Sequence, residues 1–207
     1  MMDPAAITGM VLAGGRGSRM GHVDKGLQLL RGEPMAAHVL RRLAPQVGHI
    51  AINANRNQDA YCALGAPVWP DELPGFAGPL AGLATGLRRC ATPLLLTVPC
   101  DSPFLPLDLA TRLSTALALH GADLAVAETV EPAEPAPGEA PRVQLQPVFA
   151  LVRRSALPQL SAYLATGGRR MDGWYGAVRV VRVRFEDSTF FRNINTPQEL
   201  AEHDTSP

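Results

Sequence analysis

Cysteine is scarce in this chain. Cys62, Cys90 and Cys100 are an odd number and form no CxxC pair, which excludes a disulfide framework and a cysteine-based zinc site. Each is expected to act as a small buried hydrophobe. An excess of one charge is absent too: 19 basic residues meet 19 acidic ones. No overall basic field argues for nucleic acid or an anionic membrane surface, so any anion binding must be local. No apolar run is long enough to span a bilayer. The start, MMDPAAITGMVLAGG, has no basic segment before its apolar part and is a poor signal peptide. The expected location is the cytoplasm. The five histidines are scattered without metal-ligand spacing. There is no convincing Ser/His/Asp arrangement and no internal repeat.

What is present is an ordinary globular composition, 46% hydrophobic and 18% charged over 207 residues, enough for one sizeable core. Ile7 to Ala13 reads as a buried strand stopped by Gly14-Gly15. Glu33 to Val47 reads as a helix with Met35, Val39 and Leu43 on one face and Pro34 in its first turn. His49 to Asn53 is a strand, Gln58 to Leu64 a short helix and Pro67 to Trp69 a short strand. Ala81 to Cys90 is helical. Leu94 to Val98 (LLLTV) is apolar on both faces, as in the middle of a parallel sheet. Leu107 to His120 is a helix, and Ala122 to Ala127 and Val148 to Val152 are strands. Leu157, Leu160 and Leu164 line a helix, and Val178 to Val183 is a strand. Near the end, Thr196 suits a helix N-cap, Pro197 the first position and Glu199 a capping box. The alternation predicts one α/β domain over residues 1–207, a three-layer α/β/α arrangement around a mostly parallel sheet. The Pro- and Glu-rich stretch 129–142 (TVEPAEPAPGEAPR) predicts a flexible exposed loop, not a domain boundary.

The stretch VLAGGRGSRMGHVDKGL, residues 11–27, holds five glycines, two arginines and a lysine. A phosphate-binding P-loop needs G-x-x-x-x-G-K-[ST], but Gly26 follows Lys25. A dinucleotide fingerprint needs G-x-G-x-x-G, and Met20 stands where the last glycine belongs. HIAIN also ends in Asn53 rather than the acidic residue that would hold a ribose. A third pattern fits: a long glycine loop after a strand, L-A-G-G-x-G-x-R-M-G-x-x-K. Its backbone N–H groups can approach a polyphosphate closely, and Arg19 and Lys25 add charge for the distal phosphates. Asp101 follows the strand LLLTV, so it reaches the same sheet edge as the glycine loop, where open α/β sheets bind ligands. Taken alone, Asp101 suits a helix N-cap or a turn. Opposite a polyphosphate it suits magnesium, which takes few protein oxygens and keeps phosphate and water oxygens.

These residues resemble the signature of nucleotidyltransferases with a glycosyltransferase-A-like, nucleotide-diphospho-sugar-transferase-like (Rossmann-like) fold. More narrowly, LAGG…RMG…DKGL is similar to the molybdenum cofactor guanylyltransferases. The likeness continues in order through INANRN at 52–57, Asp71 after PVWP, GPLAGL at 78–83, PCDSPFLP at 99–106, GGRR at 167–170 and NINTPQEL at 193–200. The resemblance implies a Mg2+-dependent enzyme, with Mn2+ as a possible substitute, that moves GMP from GTP to the terminal phosphate of molybdenum–molybdopterin. It implies that Leu12, Ala13, Gly14, Gly15, Asn53 and Asp71 contact the nucleotide together with Lys25 and Asp101. Arg19, Lys25 and Asp101 would be catalytic, with Asp101 the metal ligand. Gly78, Gly82, Arg169, Asn193 and Asn195 would face the acceptor.

Read from the residues alone, Asn193 and Asn195 also fit turn asparagines before a capped helix, and Arg169 fits a helix-surface arginine. Asp71 could accept from guanine N1 and N2 together, hold a ribose or shape a turn. Guanine rests on the LAGG and PCD forms, since cytidylyl members tend to carry LAAG. A phosphate monoester needs no general base, because its second pKa is about 6; the protein's task is alignment and charge neutralisation. CMP transfer to the same acceptor, transfer to a sugar phosphate and a non-catalytic cofactor carrier are the alternative readings. Transient contact with molybdenum-cofactor biosynthesis proteins or apo-molybdoenzymes would suit an unstable product.

Overall fold

The computed structural model describes residues 3–13, 24–72, 78–131 and 142–204. Strand β1 (Ile7–Leu12) is buried along its whole length. Ile7 and Val11 face one hydrophobic layer and Met10 and Leu12 the other, which is why the strand reads as an unbroken apolar run. A tight hairpin of β2 (Leu29–Leu30) and β3 (Glu33–Pro34) precedes α1 (Met35–Leu43). Glu33 and Pro34 therefore belong to a strand rather than to the expected helix. Arg31 and Gly32 both take positive φ, 53° and 78°, as the twist-matched two-residue hairpin turn requires. The helix ends at Leu43 and tightens into a 3-10 turn, Ala44–Gln46.

Strand β4 (His49–Asn53) and helix α2 (Gln58–Cys62) follow. The expected strand at 67–69 is a single parallel bridge, Ile52 to Val68. Helix α3 (Pro79–Arg89), β5 (Leu94–Pro99), α4 (Leu109–Leu119), β6 (Leu124–Glu131) and β7 (Arg142–Arg153) come next. The last elements are α5 (Leu157–Ala165), α6 (Met171–Tyr175), β8 (Val180–Phe185) and α7 (Pro197–Asp204).

The six-stranded sheet has the order β4-β1-β5-β7-β6-β8. Only β7 runs against its neighbours, so the sheet is mostly parallel. Helices α1, α2 and α4 cover one face through Val39, Leu43, Tyr61, Leu109 and Leu113. Helices α3, α5 and α6 cover the other through Leu83, Leu87, Leu160 and Trp174. The three layers are those expected.

Strands β6 and β7 outrun their predicted bounds. Their ladder continues to the pair Glu131–Arg142, so both ends of the stretch expected to be loop are paired backbone; residues 132–141 lie outside the described residues. The register breaks between Val126 and Ala127, opposite the part of β7 that holds Pro147, which has no N–H to give a ladder. The chain passes from β1 to β4 on one side and returns to β5 on the other. That places the topological switch point between β1 and β5, where ligands gather beyond the carboxyl ends.

Candidate active site

Residues Leu12, Asn53 and Pro99 sit at one level, since Leu12 pairs with Asn53 across one ladder and with Pro99 across the other. The chain beyond β1 and β5 therefore leaves from the same edge. The Cys100 N–H donates to the Leu12 carbonyl at 3.1 Å, extending the ladder by one rung and delivering Asp101 to the switch point.

Lys25 arrives there from a 3-10 turn, Lys25–Leu27. Its neighbour Asp24 is clasped by α2: the Tyr61 hydroxyl donates to Asp24 Oδ1, and Asn57 Nδ2 donates to Oδ2 at 3.0 Å. Gly26 lies flat against this clasp. A Cβ there would stand 2.5 Å from the Tyr61 hydroxyl and 3.1 Å from Cys100 Cβ, so only glycine fits. Burial, with lesser contributions from Cys100 and Asp24, holds the Tyr61 hydroxyl far above the usual tyrosine range. It stays protonated and remains a donor. Burial, then the charges of Asp101 and Asp24, likewise pushes the Cys100 thiol up, so it is an inert spacer rather than a nucleophile. Cys90 is buried as expected, whereas Cys62 is exposed on short helix α2.

The Lys25 ammonium donates to Asp101 Oδ2 at 3.0 Å and to Asn195 Oδ1 at 2.6 Å. Asp101 and Asn195 come 76 and 170 residues after it. The C-terminal segment is tied down at three points. The Ile194 N–H donates to the Asp101 carbonyl at 2.8 Å. Ser102 Oγ, fully buried, donates to Asn193 Oδ1 at 2.5 Å. Ile194 is buried in a small core with Leu30 and Met35. The capping box of α7 is present but reaches one residue further back than expected. The Glu199 N–H donates to Thr196 Oγ1, and the Glu199 carboxylate accepts from the Asn195 N–H at 2.6 Å. This anchors the backbone of Asn195, the asparagine that meets Lys25. Asn193 is turned to Ser102.

A second cluster lies on the β4 side. Asn53, 3% exposed, donates through Nδ2 to the Trp69 carbonyl at 2.8 Å and to Asp71 Oδ1 at 2.9 Å. Asn55 donates to Asp71 Oδ2 at 2.7 Å and accepts from the Asp71 N–H at 2.7 Å. Both Asp71 oxygens are thus oriented by asparagine amides. Leu12 and Ala13 are buried beside this cluster. Gly82 is buried in α3; a Cβ there would press on Asn53 Oδ1 and stand 2.9 Å from Leu12 Cδ2. Its missing side chain lets α3 seat against the strand ends. Gly78, the N-cap of α3, has φ +128° and open space where a side chain would go.

The expected site residues thus fall into two adjoining groups, Lys25–Asp101–Asn195 and Asn53–Asp71. Arg169 lies elsewhere, exposed between α5 and α6, with Nη1 donating to the Gly168 carbonyl at 3.1 Å. Gly14, Gly15 and Arg19 lie outside the described residues. Asp24, Asn55, Asn57, Tyr61 and Ser102 were not singled out from the sequence. The alternating asparagines of INANRN and the aspartate before Lys25 carried the only signal for them.

No group of three or more His, Cys, Asp or Glu side chains suited to a metal occurs among the described residues. Magnesium needs no such cage, because it binds through one or two carboxylates plus phosphate and water. Asp101 Oδ2 and Asn195 Oδ1 already converge on one cationic atom, the Lys25 ammonium. Two oxygens directed at a single cation fit magnesium chemistry.

An open sheet with a basic residue, a carboxylate and an oriented amide at its switch point suits a polyphosphate, and the family match gives the class, a nucleotidyltransferase. Residues 9–179 match the MobA-like NTP transferase domain, and the chain belongs to that family. It is 56% identical over 200 residues to the molybdenum cofactor guanylyltransferase of Ralstonia nicotianae, with 97% of each chain covered. It is 55% identical to the one from Bordetella petrii, covering 97% of this chain and 98% of that one. In fold it is similar to molybdopterin-guanine dinucleotide biosynthesis protein A from Archaeoglobus fulgidus (TM-score 0.71, 22% identity, 95% and 96% covered). No helix among the described residues is long and apolar enough to cross a membrane.

Proposed function

We propose that the chain transfers GMP from GTP to the terminal phosphate of molybdenum–molybdopterin, forming the molybdopterin guanine dinucleotide and releasing pyrophosphate. The observation that carries the proposal is the meeting of Lys25, Asp101 and Asn195 beside the Asn53–Asp71 cluster, in a chain whose full-length relatives bear the guanylyltransferase name.

In this reading the nucleoside lies against Leu12, Ala13, Asn53 and Asp71. Each Asp71 oxygen accepts one amide hydrogen and keeps acceptor capacity, suited to the adjacent N1–H and N2–H of guanine. The triphosphate is assigned to Gly14, Gly15, Arg19 and Lys25. An oxygen of the acceptor phosphate attacks the α-phosphorus. A new P–O bond forms, the bond from that phosphorus to the α–β bridging oxygen breaks, and the electron pair leaves with pyrophosphate. No proton has to be removed from the nucleophile. Lys25 neutralises charge on the leaving phosphates, and the Asp24–Tyr61 clasp holds it in place for that role. Asp101 and Asn195 would hold Mg2+, or Mn2+ in its place. The ion, when bound, supplies positive charge beside the polyphosphate. Asn193 faces the acceptor in this scheme, and Gly82 acts indirectly by seating Asn53; Gly78 and Arg169 are assigned to the acceptor by the resemblance alone. In this reading the product passes, in the cytoplasm, to biosynthesis proteins or apo-molybdoenzymes through transient contact.

Asp101→Ala tests the site. Turnover should fall by at least about a hundredfold, the usual effect of removing one electrostatic stabiliser, while the melting temperature stays near wild type. Near-wild-type turnover would remove Asp101 from the chemistry.

A further inference from the structure

The carboxyl edge of the sheet is a row. Following the order β4-β1-β5-β7-β6, the sheet brings Asn53, Leu12, Asp101 and Gln146 to this edge in turn, and β6 passes Gln146 at Ala127 and runs on to Glu131. Strand β7 runs against the others, so its amino-terminal half reaches this edge. With strands about 4.8 Å apart, the four intervals from β4 to β6 span about 19 Å. Asp101 stands at the middle. One side holds the Asn53–Asp71 cluster; the other meets the transfer centre through Asn195.

That other side is a cleft of about 280 Å³, lined by Glu131, Gln144, Gln146, Arg192, Asn193 and Asn195. Phe191 forms part of its wall. The volume is at the small end for ligand sites, about 300 Å³ upward, enough for a fused ring rather than a whole nucleotide. Its polar groups are built in. Fully buried Thr129 donates to Glu131 Oε1 at 3.4 Å, and Ser188 donates to Glu131 Oε2 at 3.1 Å. Gln146 Nε2 donates to Thr129 Oγ1 at 3.1 Å. The Gln146 amide is thereby turned so that its nitrogen is engaged and its oxygen remains an acceptor. Each Glu131 oxygen likewise keeps acceptor capacity. Asn195 lines this cleft and also touches Lys25, so the cleft opens onto the transfer centre.

Two oriented acceptors beside a guanidinium complement a flat heterocycle with adjacent N–H donors and a ring carbonyl. We propose that the cleft binds the 2-aminopyrimidinone ring of the acceptor: Glu131 and Gln146 accept its N–H groups, Arg192 donates to its carbonyl, and its phosphate extends past Asn195 toward Asp101. The assignment rests on the acceptor proposed above and adds residues that read it. Donor and acceptor then lie on opposite flanks of Asp101 and meet phosphate to phosphate.

Glu131→Gln, which keeps the side-chain shape, and Gln146→Leu test the idea. Initial rates of the full-length protein should show the acceptor KM raised about tenfold, as for one lost charged hydrogen bond. The GTP KM and melting temperature should stay at wild type, and kcat should change little, as expected when ground-state and transition-state binding are lost alike. A second titration, following the fluorescence anisotropy of 6-hydroxymethylpterin phosphate, should show binding to wild type and weakened binding to both variants. Unchanged acceptor KM, a parallel rise in both KM values, no probe binding to wild type or equal probe binding to all three proteins would overturn the cleft assignment. Absence of wild-type turnover would instead count against guanylyl transfer, with the pterin titration still deciding the cleft.

Discussion

At the scale of single residues the site is an arrangement of charge around Lys25. Its ammonium makes two hydrogen bonds, to Asp101 Oδ2 and Asn195 Oδ1. Lys25→Ala should weaken GTP binding by about 1.5–3 kcal/mol, the value of a hydrogen bond to a charged group, or about ten- to hundredfold. GMP binding should barely change, because it lacks the distal phosphates. Isothermal titration of both nucleotides checks this; equal losses would move Lys25 away from the β- and γ-phosphates. Lys25 and Asp101 were legible in the sequence because each lies in a short motif beside a turn; Asn195 by itself read equally as a turn asparagine and was singled out only by the resemblance. The Asp24–Tyr61 contact spans 37 residues and has no local pattern. Tyr61 reads simply as an apolar position of a short helix, and only the fold shows that its hydroxyl faces the lysine turn.

At the scale of elements, the site depends on how closely α3 seats on the strand ends. Gly82 and Gly86 both leave no room for a side chain. At Gly82 the obstacle includes Asn53, held by two hydrogen bonds. At Gly86 the nearest obstacles are Met10 Cε at 2.5 Å and Leu95 Cδ2 at 2.6 Å, and a methionine end can shift. Gly82→Ala should thus be the more damaging. We expect a loss of about 1–3 kcal/mol from overpacking together with weaker GTP binding; Gly86→Ala should cost stability alone. Urea unfolding and nucleotide titration separate the two, and a reversed order would contradict this packing account. Strands β1 and β5 were readable because both faces are covered and their sequences are continuously apolar. The outer half of β7 was not. Its residues Arg142–Gln144 are exposed, so RVQLQP shows no buried-strand run, and pairing with β6 rather than burial makes it a strand. The β2–β3 hairpin was missed because Arg31 adopts a positive φ that its identity does not announce.

At the scale of the whole molecule, burial of weak acids sets the alkaline limit of stability. Burial is the leading cause that raises Tyr61, Tyr175, Cys90 and Cys100 above their ordinary values. In the unfolded chain thiols ionise near about 8.5 and phenols near about 10. Below those values both states hold the protons and these groups impose no pH dependence. Above them the unfolded state gives protons up while the native state keeps them, so stability falls as pH rises. Stability should decline from about pH 8.5 and more steeply above about pH 10. Tyr61→Phe should flatten the upper part of that decline; an unchanged slope would mean that Tyr61 titrates alike in both states. On the same scale, the sheet order places the Asn53–Asp71 cluster and a second polar cleft on either side of Asp101, the layout that the proposed joining of two phosphates requires. The most direct test is pyrophosphate release measured with GTP, CTP, ATP and UTP in turn, with magnesium and with or without molybdenum–molybdopterin. Release is expected with GTP and acceptor together and with no other pairing. Release with CTP alone, or tight GTP binding with no release, would contradict it.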